Sequence, residues 1–351
     1  MKKQTFSTPA LQPGQSSDLA DTSLLRIQAT DWFRGIAALM VVASHYAEWW
    51  AWFIPTEGNA ELFRLALTKL GGYGVSLFFL FSGYGLVKSL KGRMNLSFAL
   101  RRLEKVYLPY LLVVGTLELV SGGLSSPEKL WAYLSGYDYW YMMVLFLLYL
   151  GFILLWLLPC PKSLRILFLG LYVFLLLLYF HGNGMQPFWY TSNFAFVLGV
   201  MAAEYEPALK GWIKSAGPFL IAFMAMAMVP VIRSGLGLNG QPPLPPEDIR
   251  LVWQSVGAEL LWTLLILCLA VVWNPHGHFM PLLGKNSLFI YLIHTFVFMR
   301  CVNSLTCEIA VRFALSALLT VLLALLCGLA MKGILRLLST QIGKGQSLSE
   351  P

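Results

Sequence analysis

Apolar stretches of about 20 residues recur along almost the whole chain, and each is long enough to cross a hydrocarbon core of about 30 Å as a helix. Backbone polar groups inside a bilayer must be satisfied within the chain, so spanning segments are helices or closed barrels. The apolar and polar alternation that a barrel requires is missing here. Of the 351 residues 58% are hydrophobic and 12% charged, against roughly a quarter charged in a soluble domain. The expectation is an all-α integral membrane protein.

Ten transmembrane helices are predicted, at about 33–54, 71–90, 105–121, 139–158, 164–181, 190–206, 214–232, 251–273, 286–300 and 311–332. With the N-terminus inside, 18 of the 25 Lys and Arg residues fall on the inner side. Both termini are therefore expected in the cytoplasm. Residues 1–30, with Pro9, Pro13, Gly14 and several Ser and Thr, read as a disordered cytoplasmic tail, and no apolar run near Met1 would serve as a signal-peptide core. Residues 31–335 read as the transmembrane domain and 336–351 as a short cytoplasmic tail. The net charge of +8 is scattered between spans, so it reports orientation rather than nucleic-acid binding.

The loop RSGLGLNGQPPLPPEDIR (233–250) is the longest predicted external connection, and its prolines exclude a regular helix. A plain linker and part of an acceptor-facing lid are the two readings. Five cysteines make no metal-ligand pattern; Cys301 and Cys307 share a predicted external loop, where an oxidising compartment would permit a bridge. No internal repeat of the kind found in many transporters is visible.

The run DWFRGIAALMVVASHYAEWW (31–50) keeps Arg34, His45 and Glu48 among apolar residues. Eleven residues separate Arg34 from His45, about 20° past three full helical turns, so both lie on one face and about 16 Å apart along the axis. Glu48, one turn beyond His45, could accept a hydrogen bond from the ring. Alternatively it sits at the outer interface with Trp49, Trp50 and Trp52 as an aromatic belt. An ionisable residue inside a span is costly and usually lines a cavity, which makes His45 a candidate for function.

Residues 31–45, DWFRGIAALMVVASH, resemble the opening of the acyltransferase 3 family of membrane-bound acyltransferases, whose first span carries an arginine, ten residues and a histidine. The likeness continues in order through GGYGVSLFFLFSGY (71–84), RRLEKVYLPY (101–110), YWYMMVLFLLY (139–149) and LGKNSLFIYLIH (283–294), covering about residues 29–335. Two positions depart from the pattern: Ser76 stands where the family often has an acidic residue, and Lys105 where the basic pair usually has arginine.

The resemblance implies transfer of an acyl group, commonly acetyl, from cytoplasmic acyl-CoA to a hydroxyl of a glycan or other acceptor. It implies no metal. Arg34, Arg101, Arg102 and Lys105 would dock the phosphates of the donor. His45 would act as general base on the hydroxyl, with Arg34 assisting; an acyl-enzyme on Ser82 is the more elaborate alternative. Tyr291 and His294, on one face of the ninth span, together with Trp140 and Glu48, are candidates for acceptor binding. For Tyr291 and His294 an interhelical hydrogen bond is the competing role, and for Trp140 an aromatic belt. Fewer than about 20 residues follow the last predicted span, so the membrane domain would deliver the acyl group itself or hand it to a separate protein. Expected partners are the lipid bilayer, acyl-CoA and a cell-envelope or exported glycan, with a homo-oligomer or polysaccharide-assembly proteins as further possibilities. The expected location is a bacterial inner membrane. The rival reading is a multi-span transporter in which Arg34 binds an anion and His45 and Glu48 relay protons.

Overall fold

In the computed structural model, residues 15–90, 94–236, 238, 248–273 and 275–347 are described, apart from the side chains of 15–28, 103, 234, 235 and 336–347. Twelve α-helices and two short 3-10 turns account for the regular structure of these residues, with no strand among them. The helices are α1 (Gln15–Trp50), α2 (Gly58–Ser89), α3 (Leu96–Ser121), α4 (Pro127–Ser135), α5 (Trp140–Trp156) and α6 (Lys162–Gly182). They continue with α7 (Phe194–Glu204), α8 (Glu206–Gly235), α9 (Ile249–Val272), α10 (Phe279–Lys285), α11 (Ser287–Ser304) and α12 (Ile309–Ser347).

Seven segments among the described residues are long and apolar enough to cross a membrane: Gly58–Ser89, Tyr137–Trp156, Lys162–Gly182, Glu206–Arg233, Ile249–Val272, Ser287–Ser304 and Ile309–Leu335. The three other predicted spans differ for physical reasons. Arg34, His45 and Glu48 reduce the hydropathy of α1, and Arg101, Arg102, Glu104 and Lys105 crowd the first half of α3. The span predicted at 190–206 contains only the 11 residues of α7, about 16 Å of helix. Before it the chain makes a buried non-helical turn through Thr191, Ser192 and Asn193.

Helix ends also depart from expectation. The helix α1 begins at Gln15, within the stretch expected as a tail, while residues 1–14 lie outside the described residues. Most of the 233–250 loop, as well as Lys91 and Arg93, also lies outside them. Both Cys301 and Cys307 are free thiols, so the bridge considered for them is not formed.

The helix α2 is the centre of the bundle, packed against α1, α7 and α9. Its apolar window is 56% buried, whereas that of α8 is 17% buried and carries exposed Phe219, Phe223 and Met226. An apolar helix with little protein cover presents its side chains to lipid. Close approach of α7 to α2 rests on a reciprocal pair of glycines: a Cβ at Gly83 would strike the carbonyl oxygen of Phe196, and one at Gly199 the carbonyl oxygen of Leu80. Small residues at such crossings let helix backbones meet.

Gly83→Ala is therefore expected to lower the thermal unfolding midpoint in detergent, at an overpacking cost of about 1–3 kcal/mol. Gly170→Ala on α6, where nothing lies within 4 Å of the added carbon, should leave it at or above the wild-type value.

Candidate active site

Arg34 and His45 lie at opposite ends of one internal polar strip. At the first end, Arg34 Nη2 donates to the carbonyl oxygen of Phe81 at 3.2 Å, and its Nη1 stands 3.9 Å from Asp31 Oδ1. Arg102, reaching in from α3, donates to the carbonyl oxygen of Gly85 at 2.9 Å and to the Ser89 hydroxyl. A Cβ at Gly85 would lie 3.6 Å from Arg34 Nη2. Two guanidinium groups thus flank the same turn of α2, within range of each other's charge.

Arg101 and Lys105 do not join them. Both are exposed and make no hydrogen bond or ion pair among the described residues. They are four residues apart and share a helix face, whereas Arg102 points about 100° away from Arg101. Of the three basic residues predicted on α3, the structure places only Arg102 beside Arg34.

At the second end, the rings of His45 on α1 and His294 on α11 are 5.1 Å apart. Trp49, one turn beyond His45, stacks on both imidazoles, with centroids 5.5 Å and 6.0 Å away. Beyond it, Trp49 joins Phe298, Val302 and Phe313 in a small apolar cluster. His45 lies five residues before the end of α1 at Trp50, so it is about 8 Å from that end rather than deep in the middle.

The two imidazoles are not equivalent. The His45 side chain is 34% accessible, although it lies inside the bundle, whereas His294 is buried. His294 Nδ1 lies 2.7 Å from the carbonyl oxygen of Tyr291. A carbonyl only accepts, so Nδ1 carries a proton and Nε2 holds the lone pair of the neutral ring. His45 Nδ1 stands 3.8 Å from Glu48 Oε2, and the Glu48 side chain is 62% accessible.

Buried tyrosines connect the two ends. Tyr141 on α5 meets Tyr291 edge-on at 5.0 Å, and Tyr291 lies 5.9 Å from His294. Toward the other end, Tyr141 and Tyr149 lie close enough to Ser82 and Arg34 to interact with both electrostatically. The strip runs Arg34, Ser82, Tyr141, Tyr291, His294, His45. Trp140 is outside it, half-buried against Phe188 and Trp189.

The sequence places Trp49 only in an aromatic belt and singles out neither Tyr149 nor Glu259. The spacing of four between His45 and Trp49 was a usable signal for Trp49. Glu259, the lone acid of α9, is buried and accepts hydrogen bonds from Ser192 at 2.5 Å and Thr191 at 3.1 Å. Its Oε1 would lie 2.8 Å from a Cβ at Gly72. A carboxyl group interrupting an apolar run was visible, but its partners, nearly 70 residues earlier, were not.

The pattern of the acyltransferase 3 family, described as an acyltransferase domain, matches residues 27–331. The chain belongs to the acyltransferase 3 family. No curated protein and no solved structure matches it. With its seven apolar helices, this acyltransferase 3 member is a multi-pass membrane protein of an acyl-transferring family.

Glu259→Leu would strand two buried hydroxyls at about 1–3 kcal/mol each, so its thermal unfolding midpoint should fall. Glu259→Gln keeps an oxygen acceptor and should fall much less. Equal losses would show that the cluster needs the charge and not the hydrogen bonds.

Proposed function

We propose that this acyltransferase 3 protein moves an acyl group, acetyl foremost, from cytoplasmic acyl-CoA to a hydroxyl of a cell-envelope or exported glycan in a bacterial inner membrane. The observation that carries this reading is the buried polar strip joining a pair of arginines to an accessible histidine. In the proposed topology α1, α3 and the segment 190–206, in which the turn at Thr191 to Asn193 adds to the short α7, join the seven apolar segments to give ten spans. Both termini and the Arg34 end face the cytoplasm, in keeping with the excess of basic residues there.

Arg34 and Arg102 hold the anionic donor from the cytoplasmic side, where guanidinium groups suit phosphate oxygens. The acceptor hydroxyl approaches His45 from the opposite side. An Nδ1–H directed at Glu48 leaves the His45 Nε2 lone pair free to take the hydroxyl proton. The hydroxyl oxygen attacks the thioester carbonyl, the carbon–sulfur bond breaks, and the departing thiolate takes up the proton. Trp49 and His294 hold the His45 ring in place, and Tyr291 lines the acceptor side. Direct transfer uses only groups found along the strip and requires no acyl-serine at Ser82. Membership of an acyltransferase family favours this chemistry over transport.

The test is acyl transfer by the purified protein in lipid, with radiolabelled acetyl-CoA and a crude envelope glycan. Wild type should label the glycan. His45→Ala should lose about 10²–10⁴-fold in rate, the usual contribution of a general base, and Arg34→Ala should chiefly raise KM for acetyl-CoA. Absence of CoA release by folded wild-type protein with every acyl donor tried would overturn the reading.

A further inference from the structure

A second basic feature lies beside the Arg34 end. The turn from Pro275 to His278 and the helix α10 line a half-open cleft of about 440 Å³, within the size range of small-molecule sites. Three of its lining side chains are polar, His276, His278 and Lys285, and no carboxylate lines it. Gly277, at φ +114°, makes the turn between the two histidines, a backbone conformation that other residues rarely adopt. All three basic side chains are exposed, and neither imidazole has a hydrogen-bond partner among the described residues. Pro281 and Leu282 supply an apolar wall.

The cavity is fixed to the arginine end by backbone packing. A Cβ at Gly35 would strike the carbonyl oxygen of Met280, and one at Gly284 that of Asp31. Lys285 acts on the carboxylate of Asp31, which in turn stands 3.9 Å from Arg34. A chain of charged groups therefore runs from Lys285 through Asp31 to Arg34 and on to Arg102. An array of two imidazoles and one ammonium beside an apolar wall suits a ligand that carries phosphates on an aromatic base.

We propose that this cavity binds the phosphorylated nucleotide end of the acyl donor, which leaves the thioester arm to extend past Arg34 along the strip. The assignment rests on the acyl-CoA reading above. Anionic lipid headgroups share the phosphate chemistry, so the source has to be separated by experiment.

The experiment compares wild type with the double variant His276→Gln/His278→Gln and with Lys285→Gln, all in nanodiscs of neutral phosphatidylcholine. The expected result is a KM for acetyl-CoA raised tenfold or more, at unchanged kcat and unchanged thermal midpoint. With acetyl-pantetheine, which has neither nucleotide nor phosphates, KM should not move, and Lys285→Arg should restore most of the affinity for acetyl-CoA. Equal changes with both donors, or no change with either, would overturn the proposal. A second arm measures binding of adenosine 3′,5′-bisphosphate without turnover. Binding to wild type that is lost in the variants supports the site even if no acetyl transfer is found, so failure of the acyltransferase reading stays distinguishable. Retention of phosphatidylglycerol that falls in the variants, with no nucleotide binding to wild type, would assign the cavity to lipid and overturn it.

Discussion

Close approach of neighbouring helices to α2 sets where ionisable groups can reside inside the bundle. A charged side chain at membrane depth needs a polar partner within the protein, and α2 supplies several from its own backbone. The carbonyl oxygens of Phe81 and Gly85 accept from Arg34 and Arg102, and that of Gly72 lies 3.4 Å from the Ser192 hydroxyl beside Glu259. Glycines at 72, 74, 83 and 85 leave room for these neighbours, because a Cβ at any of the four would meet an atom of another helix or of Arg34. The backbone of α2 thus organises the charges of its neighbours.

The same constraint separates the work of the two ends. Arg34 and Arg102 are tied to carbonyls, which fixes them in position but leaves remaining N–H groups to face an anion. His45 is held differently, by stacking under Trp49 and by contact with a buried second imidazole. Stacking fixes the plane of a ring without consuming its nitrogen atoms. The base proposed above must be oriented and still free to take a proton, and the His45 end meets both demands.

Much of this arrangement is legible along the chain, because helical periodicity is a local property. The shared face of Arg34 and His45 follows from their spacing, as does the pairing of Tyr291 with His294. What the chain does not show is the rotation of each helix relative to the bundle. Arg101, Arg102 and Lys105 look alike as a basic cluster, and only the packing of α3 decides that Arg102 turns inward. The same limit applies to Tyr141 and Trp140, adjacent in sequence, of which the first is buried against Phe79 and Tyr291 and the second is not. Hydropathy also does not reveal the break inside the span expected at 190–206, where the apolar run contains a polar turn, Thr191 to Asn193, whose hydroxyls serve a carboxyl group on another helix.

That carboxyl group bears on the departure at Ser76. Where the family pattern often carries an acid, this chain has a fully buried hydroxyl that donates back to the carbonyl oxygen of Tyr73 at 2.9 Å. This bond satisfies the serine within its own helix. One helical turn away, at Gly72, the side-chain-free surface of α2 is faced instead by Glu259 of α9. Residues 72 and 76 lie on the same face of the helix. The acid missing from α2 thus has a carboxyl group from a neighbouring helix close by, and the glycine at 72 is what makes room for it. A larger residue there would displace Glu259 from Ser192 and Thr191, which ties the packing of α9 on α2 to the placement of a buried ionisable group.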